Sequence, residues 1–407
     1  MKVLHTADWH IGKVLHKYPL RDELKLFFVW LTQLIEKESV DLILVSGDIF
    51  DLANPAVKDR ELYYQFLSRL IKLDIKVVIT GGNHDAVGLL NAPQRILDEL
   101  NITVIGGATG NIEDELIEIK NKHGQTELVI AAVPFLRDKD LRTKENDEKY
   151  KNRTQAIREG IKDHYSKLAE ICENKFSDLP IIAMGHLYTK GAVTSESERD
   201  IHVGNAAAVE SSIFSSTFNY VALGHIHRPQ VIGKNEYIRY SGSPIALSFS
   251  EKSDNKSLVI LDIKDGKIEE PFIVDIPKFR ALKKFSGALE SIKEKLAAFK
   301  PDFPLPSFVE IEVIEDTFSA AILAEVDDLV SQYIEASDFT ILKPRTIFKE
   351  GAKDTSTLFE EGAHIEDLKP IDVFTKLMDN QLIGPEQQAM LKEAFMEVLE
   401  SSNLTEA

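Results

Sequence analysis

Five short apolar runs in this 407-residue chain each end in side chains that bind divalent cations. Residues 1–7 (MKVLHTA) run into Asp8-Trp9-His10, residues 41–46 (DLILVS) into Gly47-Asp48, and residues 75–81 (IKVVITG) into Gly82-Asn83-His84-Asp85. Residues 179–185 (LPIIAMG) lead to His186, and residues 218–224 (FNYVALG) to His225-Ile226-His227. A Val/Ile/Leu run of this length reads as a buried parallel strand. Helical stretches near 20–38, 56–72 and 88–99 alternate with the first of these runs, which predicts a parallel α/β sheet with right-handed crossovers. In such sheets ligands sit beyond the carboxyl ends of the strands. One sheet edge therefore offers seven candidate donors.

Further strands are expected at 100–105, at 115–120 and 127–132 joined by a hairpin turn at 121–124, and at 235–240, 257–263 and 267–274. The last three read as antiparallel, with Asp265-Gly266 as a type I′ turn. Five or six strands on each side predict a two-layered mixed β-sheet core flanked by helices, spanning residues 1–275. From Ile276 the pattern changes to a small α/β domain over 276–350. A polar linker follows at 351–369, and 370–407 reads as two short amphipathic helices.

No run approaches the ~18 apolar residues that cross a bilayer, so no membrane is expected. The opening residues lack the apolar core of a secretory signal. Cys172 is the only cysteine, which fits a reducing cytoplasm, and its helical setting predicts a buried apolar role. The net charge of −18 argues at first against a nucleic-acid partner. Its distribution weakens that objection: from Glu310 to Ala407 there are 22 acidic against 7 basic side chains, whereas the other 309 residues hold 44 against 41. A phosphate-bearing substrate at the strand ends is compatible with that balance.

Taken singly, each strand-end residue is ordinary, because Asp caps helices and Gly-Asn or Gly-Asp pairs make turns. Five such clusters converging on one edge define a site. Asp8 and His10 are two apart, as are His225 and His227, so strand alternation puts each pair on one side. Asp48, by its central place, is the candidate bridge between two ions. Asn83 offers an amide oxygen, and His186, His225 and His227 offer imidazole nitrogens. With no sulfur, the set suits Mn²⁺ above all, with Zn²⁺, Fe²⁺ or Mg²⁺ as alternatives. Two such ions can orient a phosphate and generate a hydroxide for in-line attack. His84, beside Asn83, can face the substrate and either stabilise the phosphorane-like charge or protonate the leaving oxygen. Asp85 is a candidate to orient His84 or to cap the next helix, and Asp51 a candidate for outer support of the ligands.

Asp8-Trp-His10, Gly47-Asp-Ile-Phe-Asp51, Gly82-Asn-His-Asp85, Gly185-His186 and Gly224-His-Ile-His227 together resemble the calcineurin-like metallophosphoesterase superfamily. Ser195-Glu-Ser-Glu-Arg199, Ser241-Gly-Ser-Pro244 and Ser248-Phe-Ser-Glu251 are similar to its branch of bacterial SbcD-type nucleases. The resemblance covers the chain from the first strand to the final helices. It implies a Mn²⁺-dependent DNA exonuclease and endonuclease, a homodimer, and an SbcC-like coiled-coil ATPase as partner. It further implies Asp8, His10, Asp48 and His227 around one ion, Asp48, Asn83, His186 and His225 around the other, and His84 as the catalytic histidine. The region after Ile276 would then cap the core and touch DNA, with Lys278, Arg280, Lys283 and Lys284 as candidates, and the last helices would dock on the ATPase. Gly204-Asn205 stands where a Gly-Gly pair is expected. The closest rival is a phosphatase or small-molecule phosphodiesterase on the same metal pair. A scaffold that has lost its chemistry fits poorly, because no ligand type is missing.

Overall fold

The structure is a computed structural model that describes residues 1–141, 152–198, 201, 208–333 and 338–349, together with 374, 388, 390–392 and 394–396. In chain order the first elements are β1 (Lys2–Thr6), the two-residue strands β2 (Val14–Leu15) and β3 (Tyr18–Pro19), α1 (Arg21–Glu38), β4 (Leu42–Ser46), α2 (Val57–Lys72) and β5 (Lys76–Thr80). Two five-residue helices follow, α3 (Val87–Asn91) and α4 (Gln94–Asp98), then β6 (Ile102–Ile105). A single helix was expected over 88–99. Ala92 still has helical geometry, but Pro93 has no amide hydrogen to continue the bonding and leaves the helical region at φ −88° and ψ 3°, so the segment breaks there.

The chain continues through β7 (Leu116–Lys120), β8 (Thr126–Ala132), α5 (Asp138–Leu141), α6 (Arg153–Lys175) and β9 (Ile181–His186). Next come β10 (Tyr220–Gly224), β11 (Gln230–Ile232), β12 (Asn235–Tyr240), β13 (Ser257–Lys264), β14 (Lys267–Ile268) and β15 (Phe272–Asp275). One sheet has the order β14-β13-β1-β4-β5-β6, with β15 also paired to β13, and the second has the order β11-β12-β10-β9-β8-β7. In the first sheet β1, β4, β5 and β6 are parallel and β13 is antiparallel to β1. In the second, β8, β9, β10 and β12 are parallel. The antiparallel expectation for 235–240 is corrected here: β12 is antiparallel to β11 but runs parallel to β10. The 121–124 hairpin and the left-handed Asp265-Gly266 turn (φ 51° and 73°) are present.

Apolar side chains from both sheets, among them Leu42, Leu44, Ile130, Ala132, Ile182 and Ala222, meet between the layers. The outer face of the first sheet packs against Leu24, Phe27, Phe28, Leu31 and Ile35 of α1, whose spacing of three and four puts them on one helix face. The outer face of the second packs against Ile157, Ile161, Tyr165, Leu168 and Cys172 of α6. Cys172 is wholly buried, as the sequence suggests.

The chain divides into two compact units, one of residues 1–284, 299–310 and 332–343, the other of 285–298, 311–331 and 344 onward. The first unit thus extends past the expected boundary at 275. Ile276, Phe279 and Phe308 are buried in the same core as the strand side chains, which ties their segments to it. The remaining elements are β16 (Leu282–Gly287), α7 (Leu289–Ala298), β17 (Ser307–Glu315), α8 (Ala320–Gln332) and β18 (Phe339–Phe348), with the three strands in one sheet. The expected linker at 351–369 lies outside the described residues, as do Arg199, Gly204, Asn205 and most of 370–407. Of that last segment, residues 374, 388, 390–392 and 394–396 are helical, and Phe374 stacks on Phe395 at 4.0 Å.

Candidate metal centre

The loops that leave β1 and β4 are stitched together by backbone bonds, Asp8 N–H to the Gly47 carbonyl and His10 N–H to the Asp48 carbonyl, each 3.0 Å. The candidate donors lie mostly past the strands, not on them. Asp8, His10, Asp48 and His225 all have left-handed backbones, with φ of 53°, 45°, 52° and 97°. Strand alternation, from which their shared facing was expected, therefore does not set it. Each such residue carries backbone strain of about 1–3 kcal/mol that the surroundings must hold. The holding bonds are visible: Asp8 Oδ1 accepts from His225 N–H at 2.8 Å, and Asp48 Oδ1 from His84 N–H at 2.9 Å. Two glycines make the approach feasible. A Cβ on Gly47, itself at φ +83°, would lie 2.2 Å from His186 Nδ1, and one on Gly82 would lie 2.1 Å from Asp48 Oδ1.

All seven expected donors are brought together. Asp48 Oδ2 lies 3.5 Å from His10 Nε2, 3.3 Å from His186 Nε2 and 4.0 Å from His84 Nε2. On one side His10 Nε2 and His227 Nε2 face each other at 3.0 Å, and Asp8, His10 and His227 form one compact donor cluster. On the other side Asn83 Oδ1 lies 2.9 Å from His186 Nε2 and 3.2 Å from His225 Nδ1, and Asp48, His186 and His225 form a second cluster. His10, Asp48 and His84 form a third. Asp8 Oδ2 and His225 Nε2 are buried polar atoms that no protein group satisfies. Buried carboxylates and imidazoles crowded in this way, with such orphans among them, fit divalent cations.

Burial opposes every charge here, and the pattern of neighbours decides which charges survive. Burial and the nearby Asp48 push Asp8 up to about 7, although His186 and His10 oppose this. Burial would raise Asp48 too, but His186, His10 and His84 hold its carboxyl well below the usual range. Burial favours the neutral ring of His186, yet Asp48 and Asp8 outweigh it and lift His186 to about 9. His10 is likewise raised, against burial, by Asp51 and Asp48. Burial and the neighbouring His186 depress His225 to about 3, and burial with His10 and Lys256 depresses His227 strongly.

The supporting residues divide sharply. Asp51 accepts from His10 Nδ1 and from Lys13 Nζ, both at 3.2 Å, and these partners hold it near 2 against its burial. His186 Nδ1 donates to the Ser46 carbonyl at 2.9 Å, which turns its Nε2 toward Asp48. His84 Nδ1 donates to the Asp51 carbonyl at 2.7 Å. Asp85, a candidate to orient His84 or to cap a helix, has another visible task. Its two oxygens accept from the backbone amides of Gly82 (2.8 Å), Phe50 (3.0 Å) and Ile49 (3.1 Å), and the helix at Val87 has no side-chain cap.

Arg280 requires a correction. Its Nε pairs with Glu23 at 2.5 Å, its guanidinium lies 3.8 Å over the Phe308 ring, and it also donates to the Pro306 carbonyl. With its side chain only 10% exposed it is a structural cation, not a surface contact for DNA. Lys278, Lys283 and Lys284 are exposed. Four residues around His227 were missed as parts of the site: Ser197, Glu198, Glu251 and Lys256. The motifs that hold Ser197, Glu198 and Glu251 stood out only as marks of resemblance, Lys256 lies in none of them, and no spacing rule reports that a Glu and a Lys five apart are buried together.

Residues 1–229 match the calcineurin-like phosphoesterase family. Across 402 residues the chain is 30% identical to the SbcD subunit of the nuclease SbcCD from Escherichia coli K12, covering 98% of each chain. It is 30% identical to the protein of that name from Bacillus subtilis over 409 residues, 98% of this chain and 97% of that one. The Rhodobacter capsulatus counterpart is 32% identical over 363 residues, 85% of this chain and 88% of the other. Among the described residues no helix is long and apolar enough to cross a membrane.

Proposed function

Because this chain belongs to the calcineurin-like phosphoesterase family, and within it to the SbcD nucleases, we propose that it cuts DNA phosphodiester bonds at the donor cluster between its two sheets. It is a metal-dependent nuclease, a hydrolase whose relatives carry that activity in their name. The carrying observation is the convergence of seven donors with Asp48 between them. Asp8, His10, Asp48 and His227 would hold one divalent ion, and Asp48, Asn83, His186 and His225 the other. The oxygen and nitrogen set favours Mn²⁺. When bound, such ions draw charge from the phosphate oxygens and acidify a water.

The chain's own groups do the rest. Asp48 presents a carboxylate kept ionised by the histidines around it, so it would serve both cations and offset part of their mutual repulsion. The neutral rings of His225 and His227 keep lone pairs for ligation. Because His84 Nδ1 gives its hydrogen to the Asp51 carbonyl, the proton for a leaving oxygen would come from Nε2. Double-strand exonuclease and single-strand or hairpin endonuclease action, homodimerisation and an SbcC-like coiled-coil ATPase partner complete the reading, and these rest on the sequence resemblance. Lys278, Lys283 and Lys284 would contact the DNA backbone.

The test compares linear duplex DNA with p-nitrophenyl phosphate as substrates, with Mn²⁺ and with chelator. Mn²⁺-dependent loss of duplex is expected, reduced roughly 10²–10⁴-fold in His84→Ala with metal binding retained. Turnover of the phosphomonoester alone would point to a phosphatase instead.

A further inference from the structure

Behind His227, on the side away from His10, lies a buried polar chain that ends in an ion pair. His227 Nδ1 is 2.6 Å from Ser197 Oγ, and Ser197 Oγ is 2.5 Å from Glu251 Oε1. Glu251 Oε2 is 2.5 Å from Lys256 Nζ, whose other two hydrogens go to the His227 carbonyl and to Ser243 Oγ, both at 2.9 Å. Glu198 Oε1 accepts the His227 backbone amide at 2.9 Å. Glu251 and Lys256 are almost wholly inaccessible to solvent.

Ser195 Oγ, 2.7 Å from Ser197 Oγ, gives its own hydrogen to Glu198 Oε2 at 2.7 Å, and the hydrogens from Lys256 to His227 then run one way. Lys256 can only donate, and the carboxylate of Glu251 can only accept. A hydroxyl 2.5 Å from a carboxylate oxygen must place its single hydrogen between them. Ser197 therefore has only lone pairs left for His227, so Nδ1 carries the ring hydrogen and donates it. Nε2, which faces His10 Nε2 at 3.0 Å, is left bare. A bare Nε2 is what a cation requires, and outer partners of ligating histidines commonly set this choice.

We infer that Glu251, paired with Lys256, is a positioning residue that acts through the Ser197 hydroxyl to fix His227 in the tautomer whose Nε2 is open to a cation. The inference rests on the metal reading for its purpose, but the tautomer itself does not require metal. Glu251→Gln reverses the chain. Lys256 would retain the amide oxygen, so the amide nitrogen would face Ser197 and donate to it. Ser197 would then donate to Nδ1, and the ring hydrogen would move to Nε2.

The experiment uses full-length protein labelled with ¹⁵N-histidine and stripped of metal, with His227 assigned by its loss in His227→Gln. Long-range ¹H–¹⁵N correlation distinguishes the two tautomers. The wild type should show protonated Nδ1, Glu251→Gln protonated Nε2, and Ser197→Ala a mixture that Ser197→Thr reverts. Calorimetric Mn²⁺ affinity should fall roughly 10–100-fold in Glu251→Gln. Protonated Nε2 in the wild type, or an unchanged tautomer in Glu251→Gln and Ser197→Ala, overturns the inference. If Glu251→Gln does not fold, Ser197→Ala alone decides. Failure of the wild type to bind Mn²⁺ while the tautomers behave as stated would overturn the metal reading and leave the positioning role standing.

Discussion

At His186 the Asp48 carboxylate that would share a cation with the ring also holds a proton on it, helped by Asp8. Lifted to about 9, His186 is protonated at neutral pH in the metal-free protein, and Asp8, at about 7, is partly so. A protonated imidazole has no lone pair to give, so ligation must displace the proton. The sign follows: affinity for Mn²⁺ should rise with pH until about 9 and then level. Calorimetry at pH 7 in two buffers of different ionisation enthalpy should report protons released on binding, and His186→Gln should reduce that release. Affinity that stays flat from pH 6 to 9 would refute the assignment. The donors themselves were legible in the sequence because each directly follows an apolar run. Their charge states were not, since they depend on which buried rings face Asp48.

Loops that carry strained residues need pins, and Asp85 is the strongest one visible among the strand-end elements. It joins the turn after β5 to the turn after β4 through the amides of Ile49 and Phe50, and closes its own turn through that of Gly82. Removing the acceptor leaves three buried N–H groups, each costing about 1–3 kcal/mol if unsatisfied. Asp85→Ala should therefore lose about 3–6 kcal/mol of unfolding free energy in a urea titration, with weaker metal binding. A loss under about 1 kcal/mol would mean the loops hold without it. Sequence reading placed the strands well here because buried parallel strands are continuous apolar runs. It misjudged why the donors face one another, since φ beyond a strand end is chosen by tertiary hydrogen bonds. The single helix over 88–99 failed on Pro93, whose breaking effect is local and was readable. The parallel pairing of β12 with β10 was not readable, because partner choice between strands leaves no mark on either one.

Over the whole molecule the question is how a chain of net charge −18 meets DNA. Most of the excess acid lies beyond Glu310, so cationic contacts must come from the rest. With Arg280 committed to Glu23 and Phe308, the lysines 278, 283 and 284 remain as exposed candidates. Changing all three to Gln should lower the salt slope of duplex binding by roughly 2–3, about 0.9 for each phosphate no longer neutralised. Arg280→Ala should instead lower thermal stability and leave that slope nearly unchanged. Equal slopes for wild type and the triple variant would remove these lysines from the interface.

The acidic end calls for a different partner. Segment 370–407 combines amphipathic helical patterning with part of that charge, which suits a basic protein surface better than a nucleic acid. Deleting it should abolish association with an SbcC-like ATPase in size-exclusion chromatography. Mn²⁺-dependent nuclease activity of the folded remainder should persist, because every proposed ligand lies before residue 228. Retained association would return the segment to the role of a solvated acidic surface. Lost activity in a truncation with unchanged circular dichroism would show that the end of the chain supports the metal centre as well.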